Sequence, residues 1–102
     1  MKNYKVIADP RVKLDLIEAT EFLKVKRQNL ELEFLADYKT CLRVLKTNPF
    51  FEIRYDNVRC LPLKKFQYMI HFIVNEDENT VTIFGLISTY LNPEDSWLII
   101  SD

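Results

Sequence analysis

Between residues 59 and 71 this 102-residue chain gathers most of the side chains that could do chemistry. Arg59 carries a guanidinium able to grip a phosphate or a carboxylate through two parallel hydrogen bonds. Lys64 and Lys65 set two cations side by side, and Phe66 and Tyr68 follow at alternate positions. Cations neutralise phosphate and aromatic faces stack on bases, so the combination suits single-stranded RNA. Each residue also has a plainer reading. Arg59 could pair with Glu52 or Asp56 across one hairpin. Paired lysines often only keep a sheet edge soluble, and alternating rings are ordinary inward residues of a strand. His71, the single histidine, has an unperturbed pKa near neutrality. Lying between Ile70 and Phe72 in a strand-like run, it should face opposite to both. A lone histidine in such a place is more often packed than catalytic.

Cleavage of RNA at a 2′-hydroxyl needs a base, an acid and stabilisation of the phosphorane charge. Tyr68 and Tyr90 add phenols to the candidates, yet the residues supply no carboxylate pair, no Ser/His/Asp set and no cluster with metal-ligand spacing. Neither a metal nor a cofactor is expected. Gly85 is the only glycine, and loops that cradle phosphate need several positions that only glycine tolerates. Nucleotide folds are therefore excluded.

Charge narrows the partners further. The whole chain carries −1 at pH 7, so it is no general binder of polyanions. From Lys39 to Lys65, however, seven cations stand against two carboxylates, a net of +5, while the remainder carries −6. A basic middle in an acidic surround can focus a field on a local anionic partner; a solvated face of mixed charge is the alternative. Cys41 and Cys60 lie in apolar settings, and nothing ahead of Tyr4 reads as a signal peptide, which points to a reducing cytoplasm. No apolar run nears the ~20 residues of a membrane span, so no membrane partner is expected.

These residues need elements to hold them. Tyr4 to Ala8 reads as a strand, and Asp9-Pro10 as an N-cap followed by proline at the first helical position. Leu16, Ala19, Leu23 and Leu30 then recur at helical spacing, with Ile17 and Phe22 beside them. A second line follows in Phe34, Tyr38, Cys41 and Leu45, flanked by Leu35 and Leu42, and Asn48-Pro49 stops it. The pair predicts an antiparallel helical hairpin over about 11–47 with its joint near Gln28-Asn29. Residues 51–63 read as a strand or an interrupted strand. Tyr68 to Val74 and Thr80 to Ile87 form a hairpin around Asn75–Asn79, and Trp97 to Ile100 is an apolar tail expected to lie over the end of the sheet. Two helices cannot bury their apolar stripes alone, so they should cover one face of a mostly antiparallel sheet. The expectation is an α+β domain spanning 1–102: an N-terminal strand, the helical hairpin, then a run of about three strands. Beside the hairpin, the basic 39–65 region could take a partner's helix in a groove or an added strand.

In this order the sequence resembles the RelE/ParE superfamily of toxins and plasmid stabilisation proteins from type II toxin–antitoxin systems. Leu42-x-x-Leu45-x-x-Asn48-Pro49 looks like the end of their second helix. Arg59-x-Leu61-x-Leu63-Lys64-Lys65-Phe66-x-Tyr68-x-Ile70-x-Phe72 resembles their core strand pair. Val81-x-Ile83 through Asn92-Pro93-x-x-x-Trp97 is similar to their last strand and closing turn. The set covers residues 4–97. Two departures stand out. Gln67 replaces the usual proline after the phenylalanine, and Ser88–Pro93 lacks the histidine and arginine that many members carry there.

The resemblance implies a growth inhibitor neutralised by a cognate antitoxin, and it is compatible with a toxin dimer inside the complex. Ribosome-dependent RNases of this superfamily are strongly basic, which a sequence pI of 5.8 matches poorly. The ParE-like branch, which acts on DNA gyrase by protein contact, needs no nuclease constellation and is the closer likeness. The alternatives are a ribosome-dependent mRNA endonuclease, drawing on Arg59, Lys64, Lys65, Tyr68, His71 or Tyr90, and a decayed toxin that retains only antitoxin binding.

Overall fold

A computed structural model of the chain describes residues 3–89. Tyr90 and the Trp97–Ile100 tail lie outside them. Strand β1 (Lys5–Ala8) leads into helix α1 (Pro10–Lys26) and helix α2 (Leu30–Thr47). Four strands follow: β2 (Ile53–Tyr55), β3 (Val58–Pro62), β4 (Tyr68–Asn75) and β5 (Thr80–Ser88). The α+β order matches the sequence expectation, with one difference of count. The 51–63 stretch is two strands, turned at Asp56, whose φ of 48° lets the chain reverse. Short polar residues tolerate that left-handed region better than most.

The sheet runs β1-β5-β4-β3-β2. β1 lies parallel to β5 and the remaining pairs are antiparallel. A parallel neighbour cannot be reached by a tight turn. The helical hairpin is thus part of the crossover that separates β1 from the strands that follow.

Local signals set the helix ends. Asp9 caps α1, its carboxylate accepting from the Arg11 N–H at 2.9 Å, with Pro10 in the first turn. Asn29 at φ 67° makes the joint between the helices. That left-handed position is one asparagine occupies at small cost. α2 stops before Pro49, and its Lys46 carbonyl accepts from Tyr4 N–H at 2.7 Å, tying the helix end to the start of β1.

The core lies between the helices and one face of the sheet. Phe34, Tyr38, Cys41 and Leu45 are buried along α2, against Ile70 and Phe72 of β4 and Val81, Ile83 and Leu86 of β5. Each such side chain contributes roughly 1.5–3 kcal/mol through burial. On α1 the line is thinner. Val12, Ala19 and Leu23 are buried, but Ile17 and Phe22, expected beside that line, are 46% and 54% exposed. Phe22 precedes Leu23 by one residue, about 100° around the helix, which takes it off the packed face. Among the described residues no helix is long and apolar enough to cross a membrane.

Candidate functional site

The connection from β3 to β4 carries Lys64, Lys65 and Phe66, and it is fastened on several sides. Leu63 N–H donates to the Tyr68 carbonyl at 3.0 Å and closes the loop. From α2, the Asp37 carboxylate accepts Lys64 N–H at 3.3 Å and Lys65 N–H at 2.8 Å. Phe66 and Tyr68 set their rings edge-on to Phe34, with centroids 5.3 and 5.1 Å away. Gln67 binds Thr89 twice, its carbonyl taking the Thr89 N–H at 2.8 Å and its side-chain oxygen the Thr89 hydroxyl at 2.9 Å. The glutamine that departs from the family pattern therefore has work in this chain: its amide links the loop to the end of β5.

Asp37 escaped notice in the sequence, although a signal was there. It stands three residues after Phe34 and four before Cys41, so it shares the buried stripe of α2. Only 8% of it is exposed. A carboxylate sunk that far must be hydrogen-bonded, and the loop's two main-chain N–H groups meet that need. The lysine ammonium groups are consequently not used to hold the loop. Both lysines are exposed, so they stand as a pair of cations on a firmly held turn.

The other candidates lie elsewhere. Arg59 is half-buried, donates to the Phe51 carbonyl at 2.8 Å, and lies with its guanidinium 5.2 Å from the centre of the Phe50 ring. Its hydrogen bond goes to main chain beside Glu52 rather than to the carboxylates considered from sequence. His71 is on the opposite face of the sheet from the core, beside Cys60, its register partner on β3. Its Nδ1 lies 3.2 Å from the Tyr55 hydroxyl and 3.5 Å from Cys60 Sγ. Burial, with the Arg54 cation adding to it, brings its pKa down to about 4. Burial likewise pushes the Cys60 thiol up, though Arg54 acts the other way, so it is a poor nucleophile near neutral pH.

The candidates thus fall into separate places. Lys64, Lys65 and Tyr68 share the β3–β4 connection, Arg59 is turned to the Phe50–Phe51 segment, and His71 is across the sheet; Tyr90 is outside the described residues. Tyr68 is raised above the ordinary tyrosine range, first by burial and then by Glu18, so its phenol stays protonated and does not act as a base. What this arrangement can do is hold a fixed dication out to an acidic surface. Among the described residues no group of three or more His, Cys, Asp or Glu could hold a metal ion.

No family model and no curated protein sequence matches the chain. Solved structures do. A chain of the chromosomal ParDE toxin–antitoxin system from P. aeruginosa superposes with a TM-score of 0.71 at 16% identity, covering 83% of this chain and 95% of that one. This chain has the RelE/ParE toxin fold. The isolated E. coli RelE toxin aligns over 96% of this chain and 97% of its own, with a TM-score of 0.58 at 11% identity. At such identities what is shared is the fold, and the RelE/ParE fold here is filled with side chains of its own.

Proposed function

We propose that this chain is the toxin of a type II toxin–antitoxin pair, acting in the cytoplasm by binding a protein target such as DNA gyrase and held in check by a cognate antitoxin. The observation that carries the reading is the match to the ParDE chain, which takes in nearly all of that chain. A protein-binding mode is favoured over mRNA cleavage by the way the RNA-handling candidates are used. Phe66 and Tyr68 pack on Phe34, Arg59 is engaged with Phe51, and the overall charge of −1 gives little attraction to a ribosomal surroundings. Exposed Lys64 and Lys65 remain to meet an acidic partner.

The test is to induce the chain alone in a bacterium and follow DNA replication and translation separately. Replication should stop first, with mRNA intact; early translation arrest with cut mRNA would make the endonuclease reading the correct one. A Lys64→Ala/Lys65→Ala variant should weaken growth arrest by about tenfold or more in the expression needed, with an unchanged melting curve. Its fold is spared because Asp37 binds main-chain N–H groups. If the folded double variant is as toxic as the parent, the active surface lies elsewhere.

A further inference from the structure

On the sheet face away from the helices, three side chains with metal-ligating atoms meet. Cys60 of β3 and His71 of β4 are register partners, and such partners present their side chains to the same face. Cys60 Sγ lies 3.5 Å from His71 Nδ1, and the Tyr55 hydroxyl of β2 lies 3.2 Å from the same nitrogen. Thiol, imidazole and phenol thus converge from three adjacent strands. Around a tetrahedral zinc ion, with bonds of about 2.3 Å to sulfur and about 2.0–2.1 Å to nitrogen and oxygen, sulfur and nitrogen stand about 3.6 Å apart and nitrogen and oxygen about 3.3 Å. Both separations in this chain fall within about 0.1 Å of those edges. The set differs from the usual groupings of His, Cys and carboxylates in taking a phenol as its third donor.

The surroundings suit a bound ion. Two rings flank the imidazole, Tyr55 tilted at 6.1 Å and Phe84 edge-on at 6.5 Å between centroids, and a flanked ring keeps its nitrogens aimed one way. The register partner of His71 on β5 is Gly85, the one glycine of the chain. Its φ is not positive, so the backbone conformation does not call for glycine there. In a strand such a glycine marks a bulge or a close approach. The pairing is irregular between His71 and Phe72, and Gly85 also keeps the ground beside the imidazole clear of a side chain. Cys60 is buried while Tyr55 and His71 are half-buried, so the donor atoms are sheltered yet within reach of solvent. The ring is neutral at pH 7, the form in which it ligates. Arg54 is the cation that opposes a metal here; it is exposed, and its long side chain can turn its charge out to water.

We propose that Cys60, His71 and Tyr55 form a binding site for a single zinc(II) ion, with water completing the tetrahedron. A zinc–sulfur bond replaces the S–H bond of Cys60, whose proton leaves to solvent. His71 ligates through the Nδ1 lone pair and so carries its ring proton on Nε2, and the Tyr55 oxygen takes the third position. A soft thiolate beside an imidazole selects zinc over magnesium and calcium, which take oxygen ligands. The ion ties β2, β3 and β4 together and stabilises the folded chain by mass action. None of this draws on Lys64, Lys65 or the toxin reading.

The experiment titrates the full reduced chain, stripped with a chelator, with zinc(II) by calorimetry and with cobalt(II) by absorption. Zinc should bind at one equivalent with a Kd of about 1 μM or tighter. Cobalt, taking the same positions, should give a thiolate-to-metal charge-transfer band. Cys60→Ser and His71→Gln should each weaken zinc by at least about 100-fold, and Cys60→Ser should remove the band. Cys41→Ser, which changes the other cysteine, should leave both readouts as they are. By NMR of the parent, zinc should shift the His71 Nδ1 resonance while Nε2 keeps its proton. Binding only in the millimolar range overturns the proposal, as does a missing thiolate band or an affinity indifferent to Cys60→Ser and His71→Gln. Should either variant fail to fold, the parent decides alone: an Nδ1 resonance unmoved by zinc overturns the site.

Discussion

On β4, Ile70 and Phe72 point to one face of the sheet and His71 to the other, and the two faces are built by different means. The face under the helices is closed by shape. Phe34, Leu45, Ile70, Phe72, Val81 and Ile83 are fully buried, and three aromatic rings meet edge-on around Phe34 and its neighbours. On the far face a polar cluster of Tyr55, Cys60 and His71, with Arg54 close by, lies over β3 and β4 beside the Phe84 ring, which is edge-on to His71 at 6.5 Å. A packed apolar face tolerates lost volume badly. A polar face instead depends on protonation, because burying a hydrogen-bonding group is favourable only in the state that its partners match. Sensitivity to volume on one side and to pH on the other follows from one alternating strand.

The largest effect should come from the inner face. Phe34→Ala removes a ring that touches both Phe66 and Tyr68 and should cost about 4 kcal/mol, enough to lower Tm by some 15–30 °C. Differential scanning calorimetry decides it; a drop of only a few degrees would mean the inner face is less tightly packed than described. Next comes Asp37→Ala. It strips the acceptor from Lys64 and Lys65 N–H and should cost about 2–3 kcal/mol, with faster amide exchange confined to that loop. Asp37→Asn, which keeps one acceptor oxygen, should recover part of the loss. Uniform exchange changes across the molecule would show that Asp37 supports the core rather than the loop.

How far the sequence could be read follows the same division. The apolar line of α2 and the hairpin of β4 and β5 are strong period signals, since one residue type repeats on a buried face. Asp9-Pro10 and Asn48-Pro49 mark helix ends through local geometry alone, and both stand where expected. Residues 51–63 were ambiguous because two short strands divided by a turn at Asp56 look like one uneven strand. The resemblance to RelE/ParE toxins was legible for the same reason as the core: it is a matter of element order and buried pattern. The candidate site was not, because its geometry depends on contacts distant in sequence. Asp37 lies 27 and 28 positions from its partners, and the meeting of Tyr55 with His71 needs the register of β2, β3 and β4 to be fixed first. Arg59 was readable as a guanidinium, but not as one already occupied by a carbonyl.

The outer face gives a prediction of intermediate size. His71 is held down to about 4 from an ordinary 6.5, so the folded state resists a proton that the unfolded chain accepts. Above pH 6.5 the ring is neutral in both states and its contribution is fully present. As pH falls from 6.5 towards 4 the unfolded state takes up the proton and stability is lost. Screening of a ring that is only partly buried should limit the loss to about 2 kcal/mol. Urea midpoints measured across that window should fall for the parent and stay flatter for His71→Gln. A His71→Gln protein with the same slope would place the titrating group elsewhere.

The smallest effect tests whether a polar group beneath the helices obeys the rule of the outer face. Asp15 on α1 accepts the Leu86 N–H of β5 at 3.1 Å, near the irregularity in the pairing of β4 with β5. Burial pushes its pKa above the usual 3.8 and the Glu18 charge adds to this, while the Leu86 hydrogen bond and Arg11 pull the other way. The folded state therefore holds the proton more readily than the unfolded chain. Stability from this group is gained as pH falls through the carboxylate range, and is lost again as pH rises through its folded pKa, the reverse of His71. Asp15→Asn keeps an oxygen to accept from Leu86 and removes the buried charge. It should be neutral or slightly stabilising at pH 7, by about 0.5 kcal/mol, because the hydrogen bond survives while the desolvated charge does not. Asp15→Ala should be the worse of the two, leaving Leu86 N–H without its acceptor. If Asn destabilises as much as Ala, the negative charge itself is what the irregular stretch of β5 requires, and the inner face is not closed by shape alone.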